Sequence, residues 1–407
     1  MKNITSGQFW EPLLSNWKNP AEIDSVARDA LDVTQSLAVT FGTVLTRALG
    51  IRPNGDGAIV QSVATFLTTP GGRELLKSHM RLVSNHLQII YSEYDSIDQP
   101  EATANFIVSG TTPVANAPEQ NELQLELPEQ CRVGNRGEVQ RRLDEFSALL
   151  RQRGFVAYKD SHILLNPKTH FAVAMIYDET LEKICLHIRD TASDDFWEKG
   201  SWFNWVADIG QGLGLMPDVY VDGDLFVRGC VEIFRPENLQ ITGYSMGGGI
   251  GIFAGARNSV PAVVFNPAFV SPHHTRFLPP GWNDFAREHI QVLSVSNDIL
   301  SQCLDNPETG GIFPTKLFEG ARVYTTDPAD NPFRGHYLSE LLFGLMRVAM
   351  QDPELCECAW QTLRELPRGA QEAFIRQNVP LFARFLQVGM LAALTAPGRL
   401  AAPHQSA

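Results

Sequence analysis

Residues 239–257 read LQITGYSMGGGIGIFAGAR, and the fold turns on how this stretch is understood. A β-leaning run of Leu239, Ile241 and Thr242 meets Gly243-Tyr244-Ser245-Met246-Gly247, and small residues suited to close helix packing follow. This is a G-x-S-x-G pattern in strand–turn–helix order. Such a turn holds its serine in a strained backbone, so glycines two before and two after it let neighbouring chain approach closely. Ser245 is then expected at the carboxyl edge of a sheet. The helix after it aims its N-terminal N–H groups and positive dipole end at the same place, which favours a developing oxyanion. Taken alone, GYSMGGG also fits a glycine-rich turn between two elements, so the surrounding chain must decide.

Downstream, Ala262 to Phe265 is a short all-apolar run, typical of a parallel strand buried on both faces. A Pro-rich excursion covers residues 267–284. Ile290 to Ser296 reads as another strand and ends at Asn297-Asp298. Arg322 to Thr326 is the last convincing strand, and the turn after it leads to Gly335-His336-Tyr337. Strands alternating with helices from 171 to 345 imply an α/β fold, a mainly parallel sheet with helices on both faces.

A serine hydroxyl is a weak nucleophile near neutral pH and needs a base, which in turn needs an acid to orient it. In sheet hydrolases the partners follow in the order Ser, Asp or Glu, His, each at or just after a strand's carboxyl end. Asp298 and His336 meet both conditions. His289 precedes its strand, while His273 and His274 precede the acid; Asp305, Asp327 and Asp330 are fallbacks for the acid.

Upstream, helical periodicity runs from Glu22 to Tyr94, broken by Pro70-Gly71-Gly72, so residues 1–95 are expected to form a helical N-terminal unit. His79 and His86 on its last helix lack a third ligand nearby and read as ordinary histidines. Residues 96–130, rich in Pro, Thr, Ala, Asn and Glu, read as a linker or long loop. An amphipathic helix follows, with Val139, Leu143, Phe146, Leu149 and Leu150 on one side and Gly154 at its end. Phe171 to Tyr177 and Lys183 to Ile188, joined by Asp178-Glu179-Thr180, read as an antiparallel hairpin. The catalytic unit is expected over 131–345 and a helical C-terminal extension over 346–407. Pro380 to Ala396, the most apolar part of that extension, reads as a packed helix rather than a membrane-surface segment.

Between these elements, residues 196–216 interleave Trp and Phe with Gly, which fits either a packed loop or a mobile apolar cover over a site. Phe269, Phe277 and Leu278 are further candidates for an apolar acyl site. With Lys+Arg 33 against Asp+Glu 46, the net charge of −13 opposes phosphate backbones, so nucleic acid is not an expected partner. The six cysteines have no metal-finger spacing and read as reduced, packed thiols. The N-terminus lacks a signal-peptide apolar core, and no uncharged apolar run reaches about 18 residues. The expected localisation is cytoplasmic, or secreted without a cleaved signal peptide.

Over roughly Val139 to Phe343 the chain resembles the class 3 (fungal-type) lipases of the α/β-hydrolase superfamily. Ile188-Arg189-Asp190-Thr191, with Trp205 beyond, resembles that family's strand ending in Arg-Gly-Thr/Ser before an aromatic segment. Gly243-Tyr244-Ser245-Met246-Gly247-Gly248 resembles its Gly-His-Ser-Leu-Gly-Gly elbow, and Asn297-Asp298 and Gly335-His336-Tyr337 stand where its acid and base stand. The resemblance implies oxyanion contacts from Thr191 and from the backbone N–H of Met246. Asp190 departs from the family's glycine and puts a carboxylate beside that site; Tyr244 for histidine and Met246 for leucine are milder departures.

The expected activity is thus a serine carboxylester hydrolase, lipase- or phospholipase-like, with Ser245, Asp298 and His336 as triad and no metal or organic cofactor. Its partners would be a lipid or other acyl ester and, transiently, a membrane surface; no protein partner is indicated. Two rivals stand beside it: acyl transfer to an alcohol through the same triad, and a non-catalytic hydrolase-fold binding protein. Asp190 favours the second rival and the intact Ser–Asp–His order opposes it.

Overall fold

The computed structural model describes residues 60–91, 106–114, 117–158, 162–189, 217–268, 270, 274–298, 321–330, 332–366 and 368–378. Strand β1 (Val60–Ser62) leads through a 3₁₀ turn to helix α1 (Gly72–Tyr91). A hairpin of β2 (Val108–Val114) and β3 (Ala117–Leu125) precedes α2 (Arg136–Gln152). Strands β4 (Val156–Tyr158), β5 (Ile163–Asn166), β6 (Phe171–Asp178) and β7 (Lys183–Ile188) continue the chain. Helices and strands then alternate: α3 (Asp218–Phe234), β8 (Leu239–Tyr244), α4 (Met246–Asn258), β9 (Ala262–Phe265), α5 (Trp282–His289) and β10 (Ile290–Val295). After β11 (Arg322–Thr326) come α6 (Pro332–His336), α7 (Leu338–Ala349), α8 (Cys356–Glu365) and α9 (Arg368–Gln377).

These strands form a single sheet in the order β1-β11-β10-β9-β8-β7-β6-β5-β4-β3-β2. From β2 to β7 every neighbouring pair is antiparallel. From β7 through β8, β9, β10 and β11 to β1 every pair is parallel. The parallel half holds the strands whose sequences are nearly unbroken apolar runs, because helices cover both of their sides. Register aligns their carboxyl ends: Tyr244 pairs with Phe265, Phe265 with Leu293, and Val295 with Thr326. Whatever follows each of these strands is delivered to one rim.

Alternation along each strand divides the interior into two cores. Ile241, Ala262, Val264, Val292 and Val323 face α2, α3, α4 and α5 through Leu143, Phe226, Phe253 and Ala286. Tyr244, Val263, Phe265, Leu293 and Tyr324 face the opposite way, toward Leu76, Met80 and Val83 of α1 and toward Leu341, Leu345, Leu363 and Phe374 of α7 to α9. Side chains like these each contribute roughly 1.5–3 kcal/mol by leaving water.

Two sequence expectations change. The stretch at 96–130 holds β2 and β3 rather than a linker. One face of β3 is left in water here, so Leu123 and Leu125 are buried while Glu122 and Gln124 are exposed, and the polar average hides the strand. In the described part of 1–95, β1 extends the sheet beside β11 and α1 packs on the sheet, so this is no independent unit. The described part of the C-terminal extension is helical as expected, and its α8 and α9 complete one side of the sandwich. Residues 1–59 and the expected helix at Pro380 to Ala396 lie outside the described residues. No described helix is long and apolar enough to cross a membrane.

Candidate active site

Ser245 sits between β8 and α4 with φ 53° and ψ −124°, a left-handed backbone that costs a non-glycine residue roughly 1–3 kcal/mol. Three backbone hydrogen bonds hold it there. Ser245 N–H donates to the Phe265 carbonyl (3.1 Å), and its own carbonyl accepts from Gly249 (3.2 Å) and Ala268 (2.7 Å). The flanking glycines are required by space: a methyl at Gly243 would collide with the Gly247 carbonyl, and one at Gly247 with the carbonyls of Ile188 and Arg189. The second contact seats the elbow directly against the end of β7. This is an α/β-hydrolase-type fold.

The rim collects three of the predicted site residues into one hydrogen-bonded chain. Ser245 Oγ lies 3.0 Å from His336 Nε2, and His336 Nδ1 lies 2.6 Å from Asp298 Oδ1. The geometry suits a hydroxyl donating to Nε2 while Nδ1–H donates to the carboxylate. Asp298 follows β10, its N–H bonded to the Val295 carbonyl (2.9 Å), and its side chain is 0% exposed. His336 ends α6, beyond β11, with a side chain 20% exposed, so solvent or a small reactant reaches the ring while the acid stays dry. A dry carboxylate against a half-open imidazole strengthens their attraction.

Met246 is the first residue of α4, so its backbone N–H belongs to the helix's first turn beside Ser245, and its side chain is buried. Thr191, Asp190 and the aromatic segment 196–216 lie outside the described residues, as do Phe269, His273 and Asp305. Of the other candidates, Leu278 packs against the first core and Phe277 is exposed. His274 is buried beside Tyr220 and Phe253, and His289 rests on Phe285, so neither joins the rim chain. Asp330 pairs with Arg334 (2.9 Å).

Sequence reasoning overlooked the residues that grip the histidine. The Tyr244 ring stacks on the His336 imidazole at 5.3 Å and 30°, and its hydroxyl donates to the His336 carbonyl (2.8 Å). Asn266, buried with φ 39°, donates from Nδ2 to the same carbonyl (2.9 Å) and to that of Gly335 (3.0 Å). Its Oδ1 accepts from Val295 N–H (3.0 Å). Asn297 exchanges two hydrogen bonds with the Ala329 backbone, at 2.7 and 2.8 Å, and pins the turn after β11. The available signal was positional: Asn266 and Asn297 each follow a strand aimed at the rim.

Behind the elbow, in the second core, lies a group of buried histidines. The Thr242 hydroxyl is 2.8 Å from His187 Nδ1 and 3.1 Å from His86 Nδ1, and His79 Nε2 lies 2.7 Å from Gln291 Oε1. Burial pushes His187 down to about 3 and His79 to about 4, and lowers His86 well below the ordinary range, with the neighbouring His187 adding to the effect. All three are neutral core groups at neutral pH. No cluster of three metal-ligating side chains occurs among the described residues. Cys131, Cys185 and Cys230 are buried free thiols, and burial pushes Cys131 up to about 11.

No protein-family model matches this chain, and no curated protein matches it. Among solved structures, it is similar to a triacylglycerol lipase from Penicillium expansum, with a TM-score of 0.24 and 13% identity over 43% of this chain and 69% of that one. So distant a likeness carries no argument about activity.

Proposed function

We propose that this protein is a serine carboxylester hydrolase acting on a lipid or other acyl ester. The observation that carries the reading is the chain from Ser245 Oγ to His336 Nε2 (3.0 Å) and from His336 Nδ1 to Asp298 Oδ1 (2.6 Å), at the carboxyl rim of a sheet and on a strained elbow. Ser245 attacks the ester carbonyl as its proton passes to His336 Nε2. Asp298 stabilises the imidazolium, which then protonates the departing alcohol oxygen, and water deacylates the serine by the same route.

The tetrahedral oxyanion is assigned to the Met246 N–H and Thr191. Two features support that pairing: Met246 opens α4, and Gly247 packs against the Ile188 and Arg189 carbonyls, so the chain leaving β7 starts beside the elbow. One such donor is worth about 10²–10³ in kcat.

The test uses a fluorophosphonate probe together with a p-nitrophenyl ester chain-length series and phospholipids. The expected result is labelling at Ser245, lost in Ser245→Ala along with a kcat fall of about 10⁴–10⁶. Labelling that persists in Ser245→Ala would sink the proposal. Comparing products with and without added alcohol separates hydrolysis from acyl transfer.

A further inference from the structure

His336 is held from three strands at once. Its Nδ1 meets Asp298 beyond β10, its carbonyl takes hydrogen bonds from Tyr244 at the end of β8 and Asn266 just after β9, and its ring face lies on Tyr244. The carbonyl contacts fix where the backbone stands, and the stack limits how the ring turns. The second contact is the informative one, because a carbonyl anchor alone does not need an aromatic ring laid on the imidazole.

We propose that Tyr244 is a positioning residue that selectively favours the imidazolium form of His336. This rests on the hydrolase reading above, in which His336 becomes cationic each time Ser245 gives up its proton. An aromatic face is negative, and a cation within about 6 Å of its centroid is attracted. The separation here is 5.3 Å with the planes 30° apart. Neutral imidazole gains little from that face and imidazolium gains more, so the benefit appears where the reaction needs it. Asn266 shares the carbonyl anchor but offers no ring, so the two residues divide the work: Asn266 locates the base, and Tyr244 locates it and biases its charge.

Among the described residues, the other charges around His336 belong to different side chains. Asp298 is bonded to it; Arg334 in the same short helix is paired with Asp330 and Glu340; Arg347 on α7 senses Glu340, Asp327 and Asp330. A substitution at Tyr244 leaves all of these in place. A change in His336 titration in such a variant is therefore attributable to the ring.

The experiment compares wild type, Tyr244→Phe and Tyr244→Leu by NMR titration of the His336 imidazole and by pH profiles of ester hydrolysis. Tyr244→Phe keeps the stack and loses the hydroxyl: kcat falls about threefold to tenfold, and His336 titrates within about 0.2 pH units of wild type. Tyr244→Leu loses both: kcat falls about 30-fold to 100-fold with KM changed less than threefold, and the titration and the acid limb both move down by about 0.5–1 pH unit. If Tyr244→Leu does not fold, Tyr244→Trp takes its place, and titration no lower than wild type is the expected result. Wild-type titration in a folded Tyr244→Leu, or in Tyr244→Trp a titration shifted down, overturns the proposal. Absent fluorophosphonate labelling of the wild type overturns the hydrolase reading instead, and the titration still tests the stack.

Discussion

The two sides of this sheet are built from the same strands and answer to different physics. The side under α2 to α5 is mainly apolar, with Phe226 set against Phe146 and Phe171 at 5.8 and 5.9 Å and with Ser147, Asp222 and His274 among its few buried polar groups. The side under α1 and α7 to α9 is also largely apolar, yet His79, His86, His187, Thr242 and Gln291 are placed within it. Burying neutral imidazoles is tolerated only while they stay uncharged and hydrogen-bonded. The second side therefore depends on proton concentration, through its imidazoles, as well as on packing. The strands cannot favour one side without serving both, since Val263 and Phe265 face one core while Ala262 and Val264 face the other.

The largest effect that would sharpen this contrast is Phe226→Ala. It should cost about 3–5 kcal/mol by leaving a cavity among the aromatic rings of the first core, and the penalty should be the same at pH 8 and pH 5 in urea unfolding. Acid should then separate the sides. His79 and His187 titrate at about 4 and about 3 when folded, against 6.5 for a free histidine. As pH falls, the unfolded chain takes up protons first, so stability is unaffected above 6.5 and declines from there toward about 4 for His79 and about 3 for His187. At pH 5 the loss should be about 2 kcal/mol for each histidine. Hydrogen exchange at pH 5 should show α1 amides opening before those of α2 to α4, and His79→Gln should reduce the acid slope. Uniform acid sensitivity on both sides would break the comparison. The smallest effect expected is Thr242→Val, about 1 kcal/mol at pH 8 from losing the hydroxyl between two imidazoles, read by chemical denaturation.

The parallel half of the sheet was legible because its strands are short apolar runs that must be covered twice, and Ala262–Phe265, Ile290–Val295 and Arg322–Thr326 stand out for that reason. Ser245, Asp298 and His336 could be picked out by strand-end placement, since parallel register carries successive strand ends to one rim. The β2–β3 hairpin was not, because a strand with one face in water has only half its residues in the core; the alternation Leu123, Leu125, Leu127 was the trace it left. The roles of Tyr244 and Asn266 were hidden for another reason: strand-end placement brings both to the rim without showing what they touch. Their meaning lies in contacts with a residue 92 and 70 positions away, and nothing local in the sequence announces a ring stack or a shared carbonyl.

The placement of α1 and α7 to α9 on a common side also governs how the molecule comes into being. A growing polypeptide that has emerged as far as β11 owns a nearly complete sheet with one flank still open, because the helices at 338–377 have yet to be made. That flank includes Val263, Phe265, Leu293 and Val295, apolar residues that only late-arriving helices shield in full. Truncating the chain before residue 338 should thus yield an aggregating product with an intact elbow sequence. Closure of that flank is completed from the far end of the message.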